Sequence, residues 1–263
     1  MKKTITVTSP KGGVGKTTTA LNLGYCLSLL GKKVVVIDGD PQGGISISVN
    51  LRNITNKGII NILKKEAKAN DIITFTKNKN FSIIGIGNLE SEDYKLLDDA
   101  ENQDIIKRLI IKLKEYFDYV IIDSAYSVTN LLYTYLSVSD SVIIPVMPKI
   151  AAVKSLSSLL KVLENVKSND NQSLEIEGIL ITMYKGTDAE NKLLTELRQL
   201  FPKEIFFKSI ISYSDDFETS NLKGVPIFLL NREFDVKKDY FDLALELSAR
   251  EEKGEGDEYA ELF

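Results

Sequence analysis

One short stretch constrains this chain more than any other. A β-branched run, Thr4-Ile5-Thr6-Val7-Thr8, leads into the turn Ser9-Pro10-Lys11-Gly12-Gly13-Val14-Gly15. Lys16-Thr17-Thr18 follow, and then a helical pattern from Ala20 to Leu27. A strand, a Gly-rich turn and a helix beginning at Lys16 are the setting in which a phosphate-binding loop is credible. Glycines lack Cβ atoms, so their backbone N–H groups can curl closely around phosphate oxygens. The helix N-terminus adds partial positive charge beneath the same anion. Lys16 is placed to reach β- and γ-phosphates, and the Thr17 hydroxyl to ligate Mg2+. A plain strand-to-helix turn has no need of Lys-Thr after its last glycine.

Composition removes several other chemistries. The 263 residues contain no His, which excludes His-based catalysis and His-ligated metals, and Cys26 is the single cysteine, which excludes disulfides and thiolate clusters. Cys26 reads as a small buried apolar residue of the first helix. Hydrophobic residues make up 43% and charged residues 27%, enough for a sizeable core and a polar surface. A net charge of −4 argues against strong constitutive nucleic-acid binding while leaving room for a local basic patch. No apolar run has the length of a membrane span, and Met1-Lys2-Lys3 runs straight into the first strand. The expectation is a soluble, cytoplasmic protein without a signal peptide.

The rest of the chain alternates strand and helix. Val34 to Ile37 reads as a fully buried strand, Ile59 to Leu63 as helical, and Phe81 to Ile86 as a further strand. Ile105, Ile106, Leu109, Ile110 and Leu113 mark an amphipathic helix, followed by a buried strand at Tyr119 to Ile122. Helices are expected at 131–136, 153–166, 190–200 and 236–250, and strands at 141–146, 175–182 and 205–211. This predicts an α/β fold, a P-loop NTPase with a mostly parallel twisted sheet and helices on both faces. A single ATPase domain is expected over residues 1–250, with 251–263 an acidic, frayed C-terminal tail.

Three carboxylates close buried strands. Asp38 and Asp40 stand at the end of the second strand, where open parallel sheets place their ligand sites. Asp123 follows four apolar residues, a position poorly explained by packing, and reads as a Walker B aspartate. Phosphoryl transfer needs mostly positioning and charge neutralisation, so one well-placed carboxylate suffices to orient the attacking water.

The loop has Ser9 where the general pattern wants glycine, and a second lysine, Lys11, inside it. In this it resembles the deviant Walker A motif of the ParA/MinD family of ATPases. The resemblance covers nearly the whole chain and is strongest at residues 1–50 and 119–146. It implies ATP and Mg2+ as ligands and Lys11, Gly12, Gly13, Val14, Gly15, Lys16, Thr17 and Thr18 as the nucleotide-binding residues. It gives catalytic roles to Lys11, Lys16 and Asp40, with Lys11 reaching the nucleotide of a second subunit and Asp40 positioning the water. Thr17, Asp38 and Asp123 would surround the metal. The Gly224-Val225-Pro226 turn also matches the family pattern. The chain departs from it at Ser124-Ala125-Tyr126, where Cys/Thr-Pro-Pro is usual, and at Gly44, Lys149 and Ser212. Thr182-Met183-Tyr184 is either an adenine-contacting segment or a plain buried strand end. The family's N-terminal helix-turn-helix extension is not expected.

The same resemblance implies an ATP-dependent homodimer, non-specific DNA as a matrix, and a cargo-bound ParB-like activator. Candidate DNA-contacting cations are Lys185, Lys208, Lys223, Arg232, Lys237 and Lys238, but Ser212 to Phe217 carries two acids and no arginine. The terminal helix is acidic on its polar side, which disfavours the membrane targeting of MinD-type members. Two functions therefore stand side by side. One is a ParA-like ATPase that positions a plasmid, chromosome or other cargo. The other is a nucleotide-gated protein-interaction switch with weak or lost hydrolysis and no DNA binding.

Overall fold

The computed structural model describes residues 2–51, 54–125, 129–230 and 235–253. Its strands are β1 (Lys3–Val7), β2 (Val34–Gly39), β3 (Ile73–Phe75), β4 (Phe81–Ile84), β5 (Tyr119–Ser124), β6 (Ser141–Val146), β7 (Glu175–Tyr184) and β8 (Phe206–Ser212). They form one sheet in the order β3-β4-β2-β5-β1-β6-β7-β8. Every pairing is parallel except β3 with β4. The helices are α1 (Lys16–Leu29), α2 (Gly44–Ser48), α3 (Ile59–Leu63), α4 (Ala69–Ile72), α5 (Asp93–Asp98), α6 (Ala100–Lys114), α7 (Asn130–Leu136), α8 (Ile150–Asn169), α9 (Asp188–Leu200), α10 (Asp216–Lys223) and α11 (Asp235–Lys253).

The expected fold class is the observed one, and β2 shows why its sequence carried no polar alternation. Val34 and Val36 join the core layer beneath α1 and α11, with Leu23, Leu27, Leu243 and Leu247. Val35 and Ile37 join the opposite layer, with Ile106 and Ile110 of α6 and Leu131 of α7. Side chains alternate between faces, and both faces are covered, so every position is apolar. A third cluster packs Val142 and Ile144 of β6 against Leu159 and Leu163 of α8 and Leu194 and Leu197 of α9. Helix α1 lies unusually close to the sheet: a Cβ on Gly24 would stand 2.5 Å from Val36 Cγ2.

Some elements were not foreseen. The edge strand β3 has only three residues, too few for periodicity to register, and it runs antiparallel to β4. Short helices α2, α4, α5 and α10 lie in stretches for which no helix was expected. Helix α11, expected to end at Arg250, continues to Lys253. The remainder of the expected tail, 254–263, lies outside the described residues, as do Tyr126 and Arg232. No helix among the described residues is long and apolar enough to cross a membrane.

Topology places the site. β2, β5 and β1 are neighbours, so their carboxyl ends share one edge of the sheet. β1 has β5 on one side and β6 on the other, so connections leave it in opposite directions, which opens a crevice above the strand ends.

Candidate nucleotide-binding site

The loop between β1 and α1 is held by its backbone. Gly13 and Gly15 have φ of +71° and +89°, the left-handed region that side chains disfavour, and Gly15 is the N-cap of α1. A Cβ at Gly12 or Gly13 would meet nothing within 4 Å, so the loop leaves open space above itself. Val14 turns inward, fully buried, and its carbonyl accepts a hydrogen bond from Thr182 Oγ1 at 2.8 Å. Thr182 thus ties the end of β7 to the loop. Met183, in the left-handed region at φ +53°, brings its Cε to 3.9 Å from where a Gly15 Cβ would sit.

Lys16 is 8% exposed and its Nζ donates to the Lys11 carbonyl at 3.4 Å. Burial lowers its pKa, opposed first by Asp123 and then by Asp40. Thr17 Oγ1 donates to Asp123 Oδ2 at 2.6 Å, joining the first turn of α1 to the end of β5. Asp123 is in register with Asp38 across the β2–β5 pair and with Val7 across β1–β5. Asp38 Oδ2 accepts from the Ser46 N–H at 2.8 Å and from Ser46 Oγ at 2.7 Å. Asp38 Oδ1 and Asp123 Oδ1 are buried and meet no hydrogen-bond donor among the described residues.

Two neighbouring carboxylates out of reach of solvent repel and resist ionisation. Burial pushes Asp38 up to about 6, against the Ser46 hydrogen bonds. Burial, and then the charge of Asp38, hold Asp123 well above the usual carboxylate range. Such a pair is poorly satisfied by protein alone. No group of three or more His, Cys, Asp or Glu among the described residues could hold a metal. Mg2+ does not require one, because it keeps several waters and takes other ligands from phosphate. Hard oxygens from Thr17, Asp38 and Asp123 fit that coordination habit.

Asp40 stands just past β2, half-buried, and its Oδ1 accepts from the Gln42 N–H at 2.9 Å. It borders a cavity of about 210 Å³ with Thr129 and Leu131. The structure therefore gathers Lys16, Thr17, Asp38, Asp40 and Asp123 around one loop. The Lys11 side chain is only half-buried beside them, and Thr18, also half-buried, accepts a hydrogen bond from Asn22 through its carbonyl.

The departures acquire local reasons. A Cβ on Gly44 would stand 2.9 Å from Thr17 Oγ1, so glycine lets α2 approach the Thr17 hydroxyl. Ser124 Oγ donates to the Val7 carbonyl at 3.1 Å and ties β5 to β1. The Ser212 N–H donates to Asp239 Oδ2 at 2.8 Å, linking β8 to α11. Lys149 is exposed and precedes α8.

Two contributors were not legible beforehand. Ser46 carried no signal as the partner of Asp38. Tyr135 of α7 is fully buried with its ring against Gly39, and its hydroxyl meets no partner among the described residues. The candidate cations are less organised. Lys185 follows β7, Lys208 lies on β8, Lys223 on α10, and Lys237 and Lys238 on α11. The Lys185 ammonium sits 3.8 Å from the Tyr213 ring centroid.

Fold and site together define a P-loop nucleotide-binding protein. A family model described as "AAA domain" matches residues 2–176. The chain is 33% identical over 252 residues to sporulation initiation inhibitor protein Soj of Bacillus subtilis, covering 95% of this chain and 99% of that one. It is 27% identical over 262 residues to chromosome partitioning protein ParA of Caulobacter vibrioides, covering 95% of each. Septum site-determining protein MinD of Pyrococcus horikoshii, solved in complex with Mg-ADP, superposes with a TM-score of 0.80 at 22% identity, covering 94% of this chain and 96% of that one. The chain belongs to the ParA/MinD family of P-loop ATPases.

Proposed function

We propose that this protein is a ParA-type partitioning ATPase. It binds ATP with Mg2+, forms a homodimer around the nucleotide, and binds DNA without sequence preference in that state. It positions a plasmid, chromosome or other cargo while a cargo-bound ParB-like partner stimulates hydrolysis. The observation that carries this reading is the Thr17–Asp123 hydrogen bond at 2.6 Å, beside the unmet oxygens of Asp38 and Asp123. Kinship with a chromosome partitioning ParA and a nucleotide-bound MinD supports it.

Each residue has a task. Backbone N–H groups of Gly12 to Thr18 cradle the phosphates, and Lys16 neutralises the β- and γ-oxygens. Thr17, Asp38 and Asp123 hold the Mg2+, which supplies charge neutralisation on the phosphate oxygens. Asp40 accepts a hydrogen bond from the attacking water and aligns it with the γ-phosphorus. Lys11 gives the loop only its carbonyl, which receives Lys16. Its ammonium is left to reach the nucleotide of the second subunit.

The test is binding of the Asp40→Ala protein to non-specific duplex DNA, with ATP and with ADP, across a salt series. Binding with ATP alone, falling steeply with salt, is expected. One observation favours the second reading, a nucleotide-gated protein-interaction switch: Asp215 and Asp216 occupy the surface after β8, where Asp215 accepts from the Tyr213 hydroxyl. A confirmed ATP dimer that binds no DNA would establish that reading instead.

A further inference from the structure

A hollow of about 680 Å³ opens at the amino ends of β2 and β4, the opposite end of the sheet from the nucleotide loop. Its floor is apolar. Leu109 and Leu113 of α6 are buried there, and Ile73 and Phe75, two residues apart and so on one face of β3, form the facing wall. Helix α6 covers β2 and β5 on this side of the sheet, with Ile106 and Ile110 among Val35, Ile37 and Val120. Among the described residues that cover runs out at the end strand. Phe75 is 71% accessible, and Tyr116, just past α6 on the other rim, is 64% accessible. A sheet face left bare at its last strand is an apolar slot with room for one more element.

The charge around the slot is one-sided. Lys33 precedes β2, Lys79 lies just before β4, Lys68 precedes α4 and Lys112 is in the last turn of α6. Four separate elements thus each bring a lysine to the hollow, and no described acid lines it. None of the four makes an ion pair among the described residues. The acids close by in sequence are engaged elsewhere: Asp71 accepts from the Lys68 backbone N–H and Asp118 from that of Lys33. The whole chain has 37 acidic residues against 33 basic ones, so this hollow is a local reversal of its charge.

We propose that this slot docks an acidic segment of a partner protein, one that carries leucine or aromatic side chains between its acids. The apolar side chains cover Phe75, Leu113 and Tyr116, and the acids on either side of them meet the lysines around the rim. Charge complementarity selects such a segment. The lysines stand on four elements, so one compact anion meets only part of the set, whereas acids spaced along a chain meet several. A membrane surface is flat and presses on prominences, but Leu109 and Leu113 lie at the bottom of a recess. The slot is remote from the nucleotide loop, and the proposal does not rest on the ATPase reading.

The test uses the full chain and a defined probe, the fluorescein-labelled peptide Glu-Asp-Leu-Phe-Glu-Asp-Leu-Glu. Fluorescence anisotropy at low salt should show saturable binding. Replacing the Leu and Phe of the peptide by Ser should weaken it about tenfold, and so should Phe75→Ser, or Lys33→Glu with Lys112→Glu, in the protein. These three positions are exposed, so the far-UV circular dichroism melt should not change. Zero-length carbodiimide cross-linking of the unaltered chain to the peptide needs no variant and stands alone if one melts early. Its adducts should fall on Lys33, Lys68, Lys79 or Lys112. Absence of saturable binding, equal affinity for the Ser peptide, equal affinity of the folded variants, or adducts spread over other lysines would overturn the proposal. Co-sedimentation with phosphatidylserine vesicles in place of peptide binding would overturn it as well and give the slot to a lipid surface.

Discussion

Asp38 and Asp123 stand directly opposite each other at the carboxyl ends of β2 and β5, each with one buried oxygen that meets no donor. The protein's own groups thus leave two carboxylates that neither solvent nor a protein cation fully relieves. Asp38 has its folded pKa raised from 3.8 to about 6, so the folded state binds a proton more tightly than the unfolded chain. That contribution is fully present below pH ~4 and is lost as pH rises through about 6, a loss of at most about 3 kcal/mol. The Asp38→Asn protein should lack this fall and be more stable than the parent above pH 6. Urea denaturation from pH 4 to 8 on both proteins measures it. Parallel stability profiles would refute the strain assigned to Asp38.

Lys11 serves its own loop only through its carbonyl, so truncating its side chain leaves the Lys16 contact in place. The Lys11→Ala protein should bind a fluorescent ATP analogue within about threefold of the parent but remain monomeric with ATP and Mg2+. Light scattering coupled to size exclusion decides the matter. A dimer that persists would remove Lys11 from the proposed subunit interface.

A Cβ added at Gly44 would stand 2.9 Å from the Thr17 hydroxyl oxygen, closer than real Cβ atoms come. In the Gly44→Ala protein either α2 or Thr17 must move, and Thr17 is held by Asp123. Helix propensity partly offsets the strain, so global stability should change by no more than about 1 kcal/mol. The Mg2+-dependent gain in nucleotide affinity should instead fall about tenfold. Titrations with and without Mg2+ separate the two effects, and an unchanged gain would show that the contact is irrelevant to the metal.

Thr182 reaches across from β7 to the carbonyl of the fully buried Val14. Thr182→Val removes the donor and leaves that carbonyl unmet, at a cost of about 1–3 kcal/mol. Nucleotide affinity should weaken with it, because the loop loses its tie to the sheet. Thr182→Ser, which keeps the hydroxyl, should restore affinity. If Val and Ser behave alike, packing rather than the hydrogen bond supports the loop.

Much of the fold was legible because its signals are local. Four-residue apolar strands such as Val34 to Ile37 announce a sheet covered on both faces, and the Gly-rich turn before Lys16 announces an anion site whatever surrounds it. The edge strand β3 was not legible, since three residues hold no periodicity and their pairing partner lies across a turn. Ser46 was equally silent, for a serine in a short helix has no sequence mark that it faces a carboxylate eight residues earlier.

The sequence by itself determined the phosphate loop, the strand–helix alternation and the three aspartates at strand ends, because each follows from residue types at short spacing. Tertiary structure alone decided which of those ends meet. Parallel register brings Asp38 and Asp123 side by side although 85 residues separate them, and the 2.6 Å hydrogen bond from Thr17 closes the group. It also decided what surrounds them. Burial beneath α1 and α2 is a property of the packed layers, and that burial turns two ordinary carboxylates into a strained pair suited to a cation.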